Sequence, residues 1–209
     1  MNIQPVVEGH GEVGAVPVLL RRLIEEAQAW EVDVNRPIRR NRSQLVHKAE
    51  LEKTVRLARL QPNCGGILIL FDGDRDCPAE LGPMVQGWAA DVSGSVPCEV
   101  VMPHREYEAW FLAAIESLRG QRGIRADADP HPAPETPRGA KEQLEARMRA
   151  GGSYIETTDQ PAFSGRFSLT AAYSRCRSFQ KLTKSFGALL RAAGQDIEVW
   201  PPITWMESG

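Results

Sequence analysis

Hydrophobic residues recur in two alternating patterns along the first 118 residues. Short apolar runs, typical of buried strands, alternate with longer segments in which apolar residues recur every three or four positions, as in amphipathic helices. The predicted strands are residues 3–7, 31–39, 66–71 and 97–102, and the predicted helices are about 13–29, 43–60, 79–90 and 106–118. This alternation predicts an α/β fold with a mainly parallel sheet of about four to five strands flanked by helices.

The pattern changes after residue 118. Residues 119–139 are rich in proline, aspartate and arginine, which predicts an exposed loop. Further elements are predicted as helices over Lys141–Arg149 and Thr170–Ala193, and as a short strand over Ile197–Trp200. The chain is therefore divided into an α/β core over 1–118, a loop over 119–139 and a mainly helical C-terminal extension over 140–209, packed on the core.

Three aspartates follow the apolar strand 66–71 at alternate positions, as Asp72, Asp74 and Asp76. In an open parallel sheet the carboxyl ends of the strands form the ligand-binding edge. Asp72 and Asp74 would point the same way on a continued strand, and two convergent carboxylates repel each other unless a cation lies between them. Oxygen ligands favour Mg²⁺, Mn²⁺ or Ca²⁺. Asp-Gly-Asp is also ordinary turn chemistry after a strand, so a simple turn is the alternative.

Other acidic residues are predicted to lie near the same edge. Glu8 ends the first strand as Asp72 ends a later one, so the two meet if these strands are neighbours. Glu12 is a lesser candidate, as are Glu106 and Glu108 at the start of a predicted helix. Carboxylates at that position also interact favourably with the helix dipole, which gives them a purely structural alternative.

The segment Gly9–Gly14 matches the G-x-G-x-x-G pattern of dinucleotide-binding folds. Asp33 lies about where such folds place a ribose-binding acid. However, Glu8 and Glu12 flank the loop, so a pyrophosphate there would face two carboxylates without a cation. The charges therefore favour a metal site over a dinucleotide site.

Two other motifs fit the aspartates less well. A calcium-binding loop needs glycine at its sixth position and glutamate at its twelfth, where this chain has Cys77 and Pro83. A phosphatase that uses Asp72 as its nucleophile is a stronger rival, but it leaves Glu8 unexplained. Neither a Walker lysine pattern nor a nucleophile elbow centred on serine is present.

The overall charge gives little attraction to nucleic acid. The chain has 25 basic and 27 acidic residues, a net charge of −2, so binding to nucleic acid would need a local basic patch. Such a patch follows the second predicted strand and consists of Arg36, Arg39, Arg40 and Arg42. It is predicted to neutralise phosphates, with a solvated loop as the alternative. The pairs His104–Arg105 and Lys181–Lys184 are weaker basic candidates.

The compartment is predicted from the cysteines and from the apolar runs. The four cysteines are scattered and form no CxxC pair, which is typical of reduced thiols in a cytoplasmic protein. No apolar run reaches the roughly 18 residues that a membrane span needs. The first residues enter a strand pattern at once, so no signal peptide is expected.

A Glu-Gly pair after the first strand, followed by Asp-x-Asp after a later strand, resembles the TOPRIM domain. This is the catalytic domain of topoisomerases, bacterial primases and overcoming-lysogenization-defect nucleases. The longer segments Val7–Glu12 and Phe71–Asp76 are most similar to the TOPRIM-like family known as domain of unknown function 4276. Arg105–Trp110 and Ser178–Leu182 extend the resemblance over most of the chain.

The resemblance implies a TOPRIM-like (Rossmann-like) sheet that holds Mg²⁺ or Mn²⁺. It makes Glu8 the general acid/base or a carboxylate close to the metal, and Asp72 and Asp74 catalytic metal ligands. Asp76 would coordinate through water or lie just behind them.

The resemblance also implies an activity and a partner. The leading hypothesis is a Mg²⁺-dependent phosphodiesterase (nuclease) that acts on nucleic acid in defence against mobile elements or phage, with an ATPase as partner. The second hypothesis is a metal-binding or catalytically silent module that regulates such an ATPase.

Overall fold

The computed structural model describes residues 1–197 and 199–206, and its centre is a five-stranded parallel sheet. The strands are β1 (Asn2–Val7), β2 (Asp33–Val34), β3 (Ile38–Arg39), β4 (Cys64–Leu70) and β5 (Cys98–Val101). β1 lies between β4 on one side and the short β2 and β3 on the other, and β5 pairs with β4. The predicted α/β class and parallel sheet are therefore confirmed.

Helices cover both faces of this sheet. They are α1 (His10–Glu26), α2 (Arg42–Leu45), α3 (Lys48–Arg59), α4 (Pro78–Ser93), α5 (Ala109–Ala113), α6 (Ala140–Glu145), α7 (Glu156–Ser164), α8 (Leu169–Arg175), α9 (Arg177–Ala192) and α10 (Ile203–Met206), with a 3₁₀ turn at Ile115–Leu118. Among the helices that the structure describes, none has the combined length and hydrophobicity that crossing a membrane requires.

Strand β4 explains why the third apolar run in the sequence is continuous. Ile67 and Ile69 pack on one face of the sheet with residues of α3 and α4. Leu68 and Leu70 pack on the other face with residues of α1, α5 and α9. A strand covered by helices on both faces has no polar side, so its sequence shows a run of apolar residues rather than an alternation.

A cluster of aromatic rings joins the C-terminal helices to the rest of the chain. Its members are all buried, and neighbouring rings meet mostly edge to face: Tyr107, Trp110, Phe111, Phe163, Phe167 and Phe179. The indole nitrogen of Trp110 also donates a hydrogen bond to Ser178 Oγ, 2.8 Å away. Buried aromatic pairs stabilise beyond their apolar area, so residues after 140 share one core with the sheet.

Several predicted boundaries differ from the structure. The predicted strand 31–39 is two short strands, because Pro37 lies between them and has no N–H to continue the ladder. The predicted helix 43–60 is likewise divided into α2 and α3, with His47 as the N-cap of α3. The predicted helix 106–118 is the short α5 followed by the 3₁₀ turn. Residues 119–139 form no helix, yet Ile124 and Ala128 are buried in the core.

The predicted last strand over 197–200 was wrong for the residues described there. Ile197, Val199 and Trp200 are not in a strand, and Glu198 lies outside the described residues. Trp200 instead packs on the ring of Phe186 and donates its indole N–H to the Thr183 carbonyl oxygen at 2.7 Å. Side-chain packing on α9 therefore replaces strand pairing in this segment.

Helix α7 was not predicted, and its packing on α1 is close. A Cβ atom added to Gly11 would lie 2.8 Å from the Glu156 carbonyl oxygen, which is backbone. We expect Gly11→Ala to lower the free energy of unfolding by about 1–3 kcal/mol, as overpacking usually does. Each kcal/mol corresponds to a fall of about 2–4 °C in melting temperature for a chain of this length, measurable by differential scanning calorimetry.

Gly87→Ala in α4 is the matched control for this prediction. No atom lies within 4 Å of a Cβ at Gly87, so alanine there should keep or raise the melting temperature through its better helix propensity. Equal melting temperatures for wild type and Gly11→Ala would contradict the packing of α7 on α1.

Candidate functional site

The carboxyl ends of β1 and β4 open into a cleft of about 340 Å³. Val7 at the end of β1 is paired with Leu70 at the end of β4, so the residues that follow them lie side by side. The cleft is lined by Glu8, Gly9, His10, Glu12, Arg39, Asn41, Arg42, Asp72, Asp74, Lys141, Glu156 and Gln160. Glu8, Asp72 and Asp74 of the predicted site therefore line one cleft.

Asp72 lies near three other carboxylates, those of Glu8, Glu12 and Glu108. Its Oδ1 accepts a hydrogen bond from the backbone N–H of Tyr107 at 2.9 Å. Removal from water, followed by the charges of Glu12, Glu108 and Glu8, raises the pKa of Asp72 well above its usual range. The residue itself keeps partial solvent contact, because it lies at the cleft wall.

Glu8 has an unsatisfied oxygen in the same cleft. Its Oε2 is buried and has no hydrogen-bond partner among the described residues. The nearest cationic nitrogen is Arg42 Nη1, 3.8 Å away. Burial raises the pKa of Glu8, the positive charge of Arg42 opposes this, and the charge of Asp74 adds to the rise.

The side chain of Glu12 caps the N-terminus of α1, the helix to which Glu12 itself belongs. Its Oε2 accepts the backbone N–H groups of Glu8 at 2.9 Å and Gly9 at 2.8 Å, which the helix leaves unpaired. The side chain is almost fully buried, and burial raises its pKa to about 8, with the charges of Glu108 and Glu8 adding to the rise. A capping carboxyl group therefore lies beneath the cleft and keeps its proton up to about pH 8.

Glu106 and Glu108 face different surroundings. Glu108 is fully buried, and its Oε1 accepts hydrogen bonds from Tyr154 Oη at 2.9 Å and Gln160 Nε2 at 3.3 Å. Burial, opposed by the charge of Lys141, raises the pKa of Glu108 to about 7. Glu106 instead accepts the backbone N–H groups that begin α6, so its contacts are structural.

Arg42 lies among the aspartates as an internal counter-ion. Its Nε is 3.5 Å from Asp74 Oδ2 and its Nη2 is 2.5 Å from Asp76 Oδ2. It also donates hydrogen bonds to the carbonyl oxygens of Asp72 and Gly73. Asp76 therefore contacts Arg42 outside the cleft, and a protein cation partly neutralises the acids that follow β4.

The C-terminal helices supply a second cation to the cleft. Lys141 Nζ of α6 is 2.8 Å from Glu156 Oε2 of α7. Burial lowers the pKa of Lys141. The carboxylates of Glu108, Glu156 and Asp72 outweigh this effect, so the pKa of the ammonium group is raised. Sequence reasoning missed both residues, because α7 has almost no apolar periodicity and neither lies near a strand end.

The four predicted arginines are divided by the structure. Arg39 and Arg42 line the cleft, and Arg39 Nη1 donates to the Glu8 carbonyl oxygen at 3.3 Å. Arg40 turns toward α3, where its Nε donates to Thr54 Oγ1 at 3.2 Å. Arg36 is exposed and is not part of the cleft wall. The patch therefore brings two of its four charges to the site.

The dinucleotide alternative is not favoured by this geometry. The Gly11 N–H at the start of α1 is directed at Glu156 Oε1, 3.3 Å away, so a carboxylate already occupies the place of a phosphate. Asp33 pairs with Asn2 at the opposite end of β1 from Glu8. It is therefore far from the edge where a ribose-binding acid would act.

The donor chemistry of the cleft fits a hard divalent cation. Its acidic side chains are the carboxylates of Glu8, Glu12, Asp72, Asp74 and Glu156, and Glu8 Oε2 is buried without a hydrogen-bond partner among the described residues. Within residues 1–197 and 199–206, no three His, Cys, Asp or Glu side chains are grouped closely enough to hold a metal ion. The guanidinium of Arg42, within 4 Å of carboxylate oxygens of Glu8 and Asp74, contacts the same acids.

Comparison with known proteins and protein families gives a match to one family. No curated protein and no solved structure matches the chain significantly. The model of a family described as a domain of unknown function, DUF4276, matches residues 7–186, from the end of β1 into α9. Since this match covers most of the chain, the protein belongs to the DUF4276 family.

Proposed function

We propose that the protein is a TOPRIM-like phosphodiesterase that depends on Mg²⁺ or Mn²⁺ and cleaves nucleic acid. The observation that carries the proposal is the meeting of Glu8 and Asp72 at the ends of neighbouring parallel strands, both with raised pKa values. Repelling carboxylates at a ligand-binding edge are stabilised by a divalent cation.

The ligands of this cation would be the carboxylates of Glu8, Asp72 and Asp74, with Asp76 further out. When bound, the cation would neutralise a phosphodiester and lower the pKa of a water molecule. Loading requires the guanidinium of Arg42 to leave Asp74, to which it is paired at 3.5 Å. The arginine would then be available for a substrate phosphate at the mouth of the cleft.

Glu8 and Lys141 have the properties that phosphodiester cleavage needs from the chain itself. Glu8 Oε2 has no hydrogen-bond partner among the described residues. Where the cation is held by Asp72 and Asp74 without Glu8, the raised pKa makes Glu8 a better proton acceptor than an ordinary glutamate. Lys141 Nζ and the Arg39 guanidinium line the same cleft and offer donors to phosphate oxygens.

The TOPRIM assignment is supported by the order of the acids on the sheet. A glutamate follows the central strand β1, and Asp72-Gly73-Asp74 follows the strand beside it. This is the arrangement that the sequence resemblance implies. The proposed nucleic-acid substrate, ATPase partner and role in defence rest on that resemblance.

The second candidate is a catalytically silent module that regulates an ATPase. The observation that favours it is Arg42, which already places a positive charge beside Glu8, Asp74 and Asp76. In that case the ion pairs would be a structural replacement for a metal ion. The two candidates differ in whether divalent cations bind and whether phosphodiesters are cleaved.

Cation binding is expected to stabilise the protein. We predict that millimolar Mg²⁺ or Mn²⁺ raises the melting temperature, because a ligand that binds only the folded state stabilises it. Asp72→Asn combined with Asp74→Asn should abolish the rise. Asp127→Asn combined with Asp129→Asn removes two exposed charges elsewhere and should retain it. A rise that persists in the Asp72/Asp74 variant would reject the assigned ligands.

Glu8→Gln tests the chemical role separately from folding. Glutamine keeps the shape of the side chain but removes its usable proton site, so single-turnover cleavage should fall by about two orders of magnitude or more. The melting temperature should not fall, because glutamine removes a charge that burial disfavours. Glu25→Gln on the exposed side of α1 should cleave like wild type. Cleavage by Glu8→Gln at the wild-type rate would contradict the role. Wild type that binds Mn²⁺ yet cleaves no DNA or RNA would favour the regulatory module.

A further inference from the structure

A second cavity, of about 490 Å³, lies beside the acidic cleft. Its wall contains four arginines and three acids: Arg42, Arg75, Arg105, Arg138, Asp74, Asp76 and Glu106. Arg42 and Asp74 belong to both walls, so the two spaces adjoin at this pair. We call the second space the arginine cavity.

The acids of the arginine cavity already have partners. Asp74 and Asp76 pair with Arg42. Both oxygens of Glu106 accept backbone N–H groups at the beginning of α6, at 3.0 and 3.2 Å. The four arginines of the wall outnumber its three acids, and none of the three acids forms an ion pair with Arg75, Arg105 or Arg138.

Those three arginines lack partners for their charge. Arg75 and Arg138 make no hydrogen bond or ion pair with any residue in the described part of the chain. Arg105 Nε is buried and unpartnered, although Arg105 Nη1 donates to the Asp74 carbonyl oxygen at 3.1 Å. A buried donor without an acceptor is costly, and a ligand with acceptor oxygens removes that cost.

The backbone fixes this wall in an unusual conformation. Asp74 and Arg105 have φ angles of +49° and +72°, in the left-handed region that residues other than glycine seldom occupy. The two loops are held together by Asp74 N–H donating to the Arg105 carbonyl oxygen at 2.9 Å, and by Gly73 N–H donating to that of Pro103 at 2.9 Å. Such strain persists where surrounding contacts impose it, commonly at binding sites.

We infer that the arginine cavity binds a backbone phosphate of the nucleic-acid strand whose neighbouring phosphodiester lies in the acidic cleft. This assignment rests on the proposed function. Guanidinium groups donate paired hydrogen bonds to phosphate oxygens, and three of them here lack a carboxylate partner. Among the described residues, no apolar or aromatic side chain lines the cavity, so it takes the phosphate rather than a base. The contact is therefore independent of base sequence.

Binding in the absence of cleavage tests this inference. The affinity of a fluorescein-labelled single-stranded DNA 20-mer is measured by anisotropy in EDTA over a series of salt concentrations. The test variant is Arg75→Gln with Arg105→Gln and Arg138→Gln. Its control is Arg149→Gln with Arg166→Gln and Arg191→Gln, which removes three charges from exposed positions outside both cavities.

The test variant is expected to bind at least about tenfold more weakly, and the slope of its salt dependence should be flatter by about 0.7, since the cavity holds one phosphate and each single-strand phosphate contact contributes about 0.7 to the slope. The control should bind within about twofold of wild type. Arg75→Gln with Arg138→Gln alone breaks no hydrogen bond or ion pair among the described residues, and it should change affinity and slope in the same direction by a smaller amount. Equal affinity and slope for wild type and both arginine-cavity variants would overturn the inference, as would wild type that binds no DNA.

Two further measurements complete the test. One distinguishes a backbone phosphate from a terminal phosphate, and the other tests the proposed function independently of the arginine cavity. Equal losses with 5′-hydroxyl and 5′-phosphorylated DNA indicate a backbone phosphate, whereas a loss seen only with 5′-phosphorylated DNA would replace the inference by a terminal-phosphate site. Cleavage is measured in parallel with Mg²⁺ and Mn²⁺. Arginine-dependent binding without any cleavage upholds the cavity and rejects the phosphodiesterase. Cleavage that needs Asp72 and Asp74 but not the three arginines upholds the phosphodiesterase and rejects the arginine cavity as a phosphate site.

Discussion

The burial of neighbouring carboxylates is the constraint around which this site is arranged. Glu8, Glu12, Asp72 and Glu108 come from four places in the chain, and the pKa of each is raised above its usual value. Burial is the largest cause in every case. Neighbouring carboxylates add to the rise, whereas Arg42 opposes it at Glu8 and Lys141 opposes it at Glu108. Such a group destabilises the folded state at neutral pH, so the surrounding structure must hold it in place.

The sheet and the helices around it provide that support. β1 and β4 are buried on both faces, which fixes the positions of the residues at their ends. Arg42 reaches the acids after β4 from one side, and Lys141 approaches Glu108 and Asp72 from the other. Because Lys141 and Glu156 belong to the C-terminal helices, the site needs those helices as well as the sheet. Removal of residues after 140 would therefore remove both aromatic packing and a compensating charge.

The part of the fold that could be predicted from the sequence follows from simple periodicity. Buried parallel strands give continuous apolar runs, so β1, β4 and β5 and the acids that end β1 and β4 were recognisable. The predicted neighbourhood of Glu8 and Asp72 then required only that β1 and β4 be adjacent, which they are.

The contacts that adjust the site were beyond such reasoning. α7 has few apolar residues and is held by contacts distant in sequence, such as Glu156 with Gly11 and Lys141. Glu12 was identified as a possible ligand from its position, but its main contacts are the backbone N–H groups of Glu8 and Gly9. The division of the arginines between cleft and α3 depends on side-chain directions that no local pattern encodes.

The dependence of stability on pH measures the cost of burying these carboxylates most directly. The pKa values of Glu12 and Glu108 are raised from 4.5 to about 8 and about 7, so the folded chain holds protons that the unfolded chain releases. Their stabilising contribution is complete below about pH 4.5 and is lost as the pH rises through about 7 to 8. The measurement is the melting temperature in EDTA between about pH 6 and 9, for wild type and Glu12→Gln. The burial of these carboxylates predicts a melting temperature that falls with rising pH in wild type and falls less in Glu12→Gln, which still accepts the two N–H groups. A wild-type melting temperature that stays constant or rises over this range would contradict it.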